Sequence, residues 1–315
     1  MNPQCASALG IDIGGSKTHA VVLDAHSGVV ADVVLRTERG PDGVVATALA
    51  VADECRRRTD PAGTGWAGVG VGIPGRVDHR SGVVHTAVNL GIARLQLGER
   101  LRAAWGVPVA VDNDVKVTVV GAADQLGATD ADLTYLNFGT GVSAATLSRG
   151  AVVRGADNLA GEIGHFPIVP GAGRCACGQD GCVEVLAGGG QITRRLARLD
   201  PPVVLPTLLD AVRAGRPDAA AEARLIAGGI AGAVELVVLA HGSGRVMIGG
   251  GVIRTAPGLA ELARQLLAER AGASDFLASL DLPGRLVVAP AGRPLAAIGA
   301  ALVGRAAASE VAGLG

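Results

Sequence analysis

Aromatic residues are nearly missing from this 315-residue chain, which has one Tyr, three Phe and two Trp. Its core must therefore be packed by Val, Ala, Leu and Gly, and apolar residues still make up 49% of the sequence. An excess of one charge is missing too: 28 Lys and Arg stand against 29 Asp and Glu, for a net charge of −1, and no long basic run occurs. A nucleic-acid groove or an anionic membrane surface needs such a run, so neither partner is expected. The opening residues MNPQCASALG lack a basic segment followed by a long apolar stretch, so no secretory leader is expected. The most membrane-like run, Leu225–Ala240, is short of the roughly 20 residues of a span. Glu235 also interrupts it, and it reads as a buried helix. The chain is thus expected in the cytoplasm, where its five cysteines are reduced thiols or metal ligands rather than disulfides.

What is present is a succession of short Val- and Ile-rich runs between turn signals. Strands are expected at Ala8–Ile13, His19–Leu23, Val29–Leu35, Trp66–Ile73, Val107–Val111, Leu133–Phe138, Val142–Leu147, Arg245–Ile248 and Leu286–Ala289. Helical spacing marks Val44–Arg58, Val115–Gln125, much of Val183–Ala240, Leu259–Glu269 and the chain from Leu295. This mixture indicates an α/β fold, with length enough for two domains. The stretches GIDIGGSKTHAVVLD and YLNFGTGVSAATLSR share one plan: apolar strand, glycine-rich turn, apolar strand. Either a duplicated domain or two unrelated hairpins would give it.

The first of these turns, Asp12-Ile13-Gly14-Gly15-Ser16-Lys17-Thr18, carries the ingredients of a phosphate cradle. It is not a Walker loop, because Ser16 separates glycine from lysine and a strand follows where a helix is required. Gly14 and Gly15 let backbone N–H groups approach an anion, Ser16 and Thr18 can donate, and Lys17 brings charge. Asp12, at a strand end, is placed to hold Mg²⁺ through water. The same residues also describe a tight hairpin with a solvated lysine, and both readings stand. Gly70-Val71-Gly72-Ile73-Pro74-Gly75 matches the dinucleotide fingerprint. Pro74 and the turn-prone RVDHRSG follow it in place of a helix, which excludes NAD.

Residues 161–184, GEIGHFPIVPGAGRCACGQDGCVE, bring His165, Cys175, Cys177 and Cys182 within eighteen positions. Three thiols and one imidazole, with Gly178 and Gly181 permitting tight turns, suit a structural Zn²⁺ with no open coordination position. Glu162 and Glu184 flank the loop, and a rigid loop would fix both carboxylates as acceptors for a hydroxyl-rich ligand. Cys5 and Cys55 lie apart and read as packed side chains. Asp112-Asn113-Asp114 ends an apolar strand and opens a helix. Such residues face a cleft in many α/β enzymes, or simply cap the helix.

Together these motifs resemble the ROK family of sugar kinases and repressors over nearly the whole chain. DIGGSKT and FGTGVS resemble its two phosphate turns, VDNDV its catalytic segment, AGEIGH and CACGQDGCVE its zinc and sugar signature, and IGGGVI its nucleotide-side glycines. The resemblance implies an actin-like ATPase (ribonuclease H-like) pair of α/β domains with an interdomain cleft and a structural zinc loop. Residues 1–113 plus about 295–315 would form the smaller domain, and 114–294, with zinc loop 165–182, the larger. It implies ATP-dependent phosphorylation of a hexose or hexose-like polyol, glucose by default. N-acetylglucosamine, N-acetylmannosamine or a sugar-like cyclitol are the alternatives, and a sugar-responsive repressor or a silent sugar-binding protein the further ones. Asp114 would be the general base; Asn89, Asn113, Glu162, His165 and Glu184 would hold the sugar. Asp12, Gly14, Gly15, Ser16, Lys17, Gly139, Thr140, Gly141, Gly249, Gly250 and Gly251 would surround ATP and Mg²⁺. His165, Cys175, Cys177 and Cys182 would bind Zn²⁺, and the chain would assemble as a homodimer or homotetramer. It departs from the family pattern at Val115 and Lys116, in its leaner second turn, at LAGGGQ (186–191) and after Asn89.

Overall fold

Glycine and alanine shape this fold because they allow backbone to lie against backbone. The computed structural model describes residues 7–59, 65–129 and 131–313, so Cys5 lies outside the described residues. The chain divides into two units.

The first unit holds the described residues up to Thr129, Val152–Ala160 and the chain from Gly292. β1 (Ala8–Ile13), β2 (Lys17–Leu23) and β3 (Val29–Arg36) form an antiparallel meander. α1 (Pro41–Thr59) follows and buries Val44, Ala48, Val51 and Cys55. β4 (Gly68–Ile73) then pairs parallel with β1. β5 (Arg76–Asp78) and β6 (Val83–Thr86) make a small hairpin, built from the stretch that the sequence marks only as a turn. α2 (Leu97–Trp105), β7 (Val109–Asn113) and α3 (Asp114–Gln125) complete it. Sheet order is β3-β2-β1-β4-β7.

The C-terminal helix, Leu295–Gly313, packs on this sheet and on α3. The contact is possible only because side chains are absent. A Cβ on Gly70 would lie 1.8 Å from the Ala300 carbonyl, and one on Gly68 would lie 2.3 Å from that of Gly304. The GxGxxG lookalike is therefore a helix-packing stripe. Gly299 likewise sits against the Val117 carbonyl, where a Cβ would be 1.8 Å away. This is why α3, placed by the sequence at the head of the larger domain, packs in the first unit.

In the second unit, β8 (Leu133–Phe138), β9 (Val142–Ser148) and β10 (Ala151–Val152) repeat the meander. Helices α4 (Val183–Ala187), α5 (Gly189–Leu196), α6 (Leu208–Arg213) and α7 (Pro217–His241) follow. β11 (Arg245–Gly249), α8 (Gly251–Thr255), α9 (Gly258–Gly272), α10 (Asp275–Ser279), α11 (Leu282–Arg285) and β12 (Leu286–Val288) close the unit. Sheet order is β10-β9-β8-β11-β12, strand for strand the plan of the first sheet. The shared hairpin plan in the sequence thus belongs to a repeated fold. α7 and the C-terminal helix are long and apolar enough to cross a membrane by composition. Yet Ile226, Ile230, Val234 and Val237 of α7 lie inside the second core beside Leu136, Phe138 and Leu259.

Candidate functional site

Parallel pairing brings the ends of β1, β4 and β7 to one edge of the first sheet, with Asp12 opposite Gly72 and Gly72 opposite Asp112. Asn113 and Asp114 lie just beyond that row. The Asn113 side chain caps α3, its Oδ1 accepting from the N–H groups of Val115 (3.0 Å) and Lys116 (3.3 Å). Its Nδ2 donates to the Gly75 carbonyl at 3.2 Å. The helix-capping reading of this segment is therefore realised in Asn113, which leaves Asp114 in the first turn of the helix. Asp114 Oδ1 accepts from Val115 N–H at 3.0 Å. Asp12 is partly buried; burial first and then the field of Asp114 push its carboxyl up to about 7, with Lys17 opposing. Two acids within each other's field beside a lysine suit cation and phosphate chemistry.

The first glycine turn is a hairpin, closed by Gly14 N–H donating to the Lys17 carbonyl at 2.9 Å, and β2 follows it directly. Gly15, Ser16 and Lys17 are exposed. Thr18 is not available as a donor: it is fully buried, and its hydroxyl bonds that of Thr37 at 2.9 Å. Asn89 is exposed and lies beside Gly15.

In the second unit, Gly139-Thr140-Gly141 joins β8 to β9. Its carbonyls are drawn away by the start of α5: Gly189 N–H donates to Gly139 O and Gly190 N–H to Thr140 O, each at 2.9 Å. The LAGGGQ departure thus carries the second glycine turn. An anion cradle needs its carbonyls turned outward, and a helix N-terminus with surplus N–H groups supplies that. Glu184 reaches the same turn, accepting from Val142 N–H at 3.0 Å. Gly249 pairs with Asn137, and Gly250, at φ +94°, lies against the Phe138 carbonyl where a Cβ would be 2.5 Å away. Gly249–Gly251 and Gly139–Gly141 therefore share one end of the second sheet.

Glu162 is exposed at the head of a helical turn containing His165, also in this unit. His165 Nδ1 is 3.6 Å from Cys175 Sγ, and Cys177 Sγ is 3.7 Å from Cys182 Sγ. A tetrahedral zinc with bonds of about 2.3 Å to sulfur and 2.0 Å to nitrogen has edges near ~3.5 and ~3.8 Å. His165, Cys175 and Cys177 offer ligand atoms all within 4.8 Å of one another, and with Cys182 Sγ beside Cys177 Sγ they suit that ion. Gly178 and Gly181, both at positive φ, turn the loop around it. Nδ1 faces the thiols, so Nε2 is the remaining ring nitrogen of His165.

Residues 8–306 match the model of the family described as ROK. The chain belongs to the ROK family. A ROK hexokinase from Thermus thermophilus superposes with a TM-score of 0.82 at 30% identity, over 98% of this chain and 99% of that one. The kanosamine kinase of Amycolatopsis mediterranei is 32% identical over 299 residues, 90% of each protein. The glucokinase of Halalkalibacterium halodurans is 30% identical over 192 residues, so the chain spans only 58% of that relative's length. The two units of this ROK chain carry the actin-like, ribonuclease H-like fold.

Two features of this ROK chain escape its sequence. The Asp112 side chain is 3% exposed and ion-paired with Arg154, while its Oδ1 accepts from Asn113 N–H at 2.8 Å. Lys116 is buried and donates to the carbonyls of Asn158 (3.0 Å) and Ala160 (3.2 Å). A carboxylate inside an otherwise apolar strand is the one sequence signal for the first. Nothing local marks the second, because its partners are more than forty positions away.

Proposed function

We propose that this chain is an ATP-dependent kinase that phosphorylates a hydroxyl of a hexose or hexose-like polyol, with Asp114 as general base. The observation that carries the reading is the placing of two carboxylates, Asp12 and Asp114, within one electrostatic field at the strand ends beside the Lys17 turn. A sugar hydroxyl is a weak nucleophile. Asp114 would orient it and accept its proton as the bond to phosphorus forms. Asn89, Asn113, Glu162, His165 through Nε2, and Glu184 would hold the acceptor, since each hydroxyl both donates and accepts. Ser16, Lys17 and the turns Gly14–Gly15, Gly139–Gly141 and Gly249–Gly251 would bind the nucleotide. Mg²⁺, held through water by Asp12, would neutralise charge on the transferring group. Zn²⁺ on His165, Cys175, Cys177 and Cys182 would fix the loop between Glu162 and Glu184.

Glucose is the default acceptor, as in the glucokinase-named relative. The kanosamine kinase, matched over nine-tenths of its length, adds kanosamine; N-acetylhexosamines and cyclitols complete the panel. The chain would work in the cytoplasm as a homodimer or homotetramer, which light scattering checks. ADP release over that panel tests the reaction. Turnover with at least one acceptor is expected; folded, zinc-loaded protein that turns over none would refute it.

A further inference from the structure

The first unit holds a cavity of about 450 Å³ lined by Arg76, His79, Arg80, His85, Arg154 and Asn158, among others. Basic side chains dominate it. Asp78 also lines it but spends its oxygens on its own turn, accepting from Arg80 N–H at 3.0 Å and from the Ser81 hydroxyl at 2.6 Å. Asp157 also lines it and forms a long, exposed ion pair with Arg76 at 3.9 Å. Among the described residues, the Arg80 guanidinium and the imidazoles of His79 and His85 have no hydrogen-bond or ion-pair partner. Burial, then the charge of Arg154, holds the His79 imidazole below its usual range.

The wall of this cavity is firmly built. Asp157 and Asn158 both have positive φ, at 54° and 61°, a conformation that costs free energy for residues with side chains. Two clamps hold them there: Lys116 Nζ on the Asn158 carbonyl at 3.0 Å, and Asn158 Nδ2 donating to the Val77 carbonyl at 2.7 Å. The remaining amide oxygen, Asn158 Oδ1, is buried without a partner.

The geometry points to a binding site for a phosphate monoester, its phosphate among Arg76, Arg80, His85 and Arg154. Donors dispersed over several segments match a tetrahedral dianion; a planar carboxylate would be satisfied by one arginine fork. The volume is in the range of small-ligand pockets. Arg154 spends Nη1 on Asp112, whose Oδ1 accepts the Asn113 N–H beside the base. Occupancy is therefore felt at Asn113 through Arg154 and Asp112. This link to catalysis rests on the proposed kinase reaction, whose product is itself a polyol phosphate; the binding does not.

Isothermal titration of the full chain at low salt tests the site, with a hexose 6-phosphate, inorganic phosphate and the parent hexose as probes. The variant is Arg80→Ala with His85→Ala, and circular dichroism confirms its folding. Hexose phosphate should bind at one site in the wild type and about tenfold or more weakly in the variant, a difference of roughly 1.4 kcal/mol or more. ADP affinity should be the same in both. Inorganic phosphate following the same pattern supports recognition of phosphate alone; binding of the ester only supports added contacts between the cavity wall and the rest of the ester. No binding of the ester, or equal binding in wild type and variant, overturns the site. A chain inert on the sugar panel that still shows this difference keeps the site and loses only the kinase reading.

Discussion

Asp12 and Asp114 lie in one electrostatic field, and changing an oxygen to an amide in either one separates their roles. In Asp114→Asn the proposed base is gone while its shape remains. Turnover should fall by about 10²–10⁴-fold with acceptor binding retained, which kinetics and sugar titration together measure. Asp12 makes a different prediction. Its folded pKa, about 7, stands above the ordinary 3.8, so ionisation opposes the folded state. The penalty is absent below the ordinary value, grows as pH rises between the two, and is constant above 7. Asp12→Asn should therefore melt several degrees above the wild type at pH 7.5 with chelator present. At pH 4 the two should melt together, and scanning calorimetry reads both.

At the scale of elements, glycine carries much of the packing. Gly70→Ala would drive a methyl group into the Ala300 carbonyl and lever the C-terminal helix off β4. Overpacking of this kind costs roughly 1–3 kcal/mol, and the rigid backbone partner puts this site at or above the upper end, readable in the denaturation midpoint. Apolar runs bounded by glycine made the main strands of both sheets legible in the sequence, because parallel central strands are buried on both faces. Shorter elements were not. α2 buries only Leu97, Gly98 and Leu101, too narrow a stripe for a periodic signal. β5 and β6 have three and four residues, and the first is the polar RVD. In the candidate site, Asp12, the DND segment and the zinc loop were readable because their residues are neighbours in sequence. The Asp112–Arg154 pair and the Lys116 clamp were not, since the fold alone brings their halves together.

For the whole molecule, the zinc loop makes a stoichiometric claim. Freshly purified protein should contain about one zinc per chain by elemental analysis. Chelation should lower the melting temperature, since metal affinity is folding free energy for the loop. Cys175→Ser should reproduce that loss and make the protein insensitive to chelator.

The place of the C-terminal helix has a consequence for biosynthesis. The backbone groove formed by Gly68 and Gly70 receives its cover from residues 295–313, more than two hundred positions further along the chain. The first sheet of a nascent chain must therefore wait, with a glycine-lined apolar face exposed to water, until residues 295–313 have been made. A stop codon at position 295 would leave a protein that never closes its first sheet.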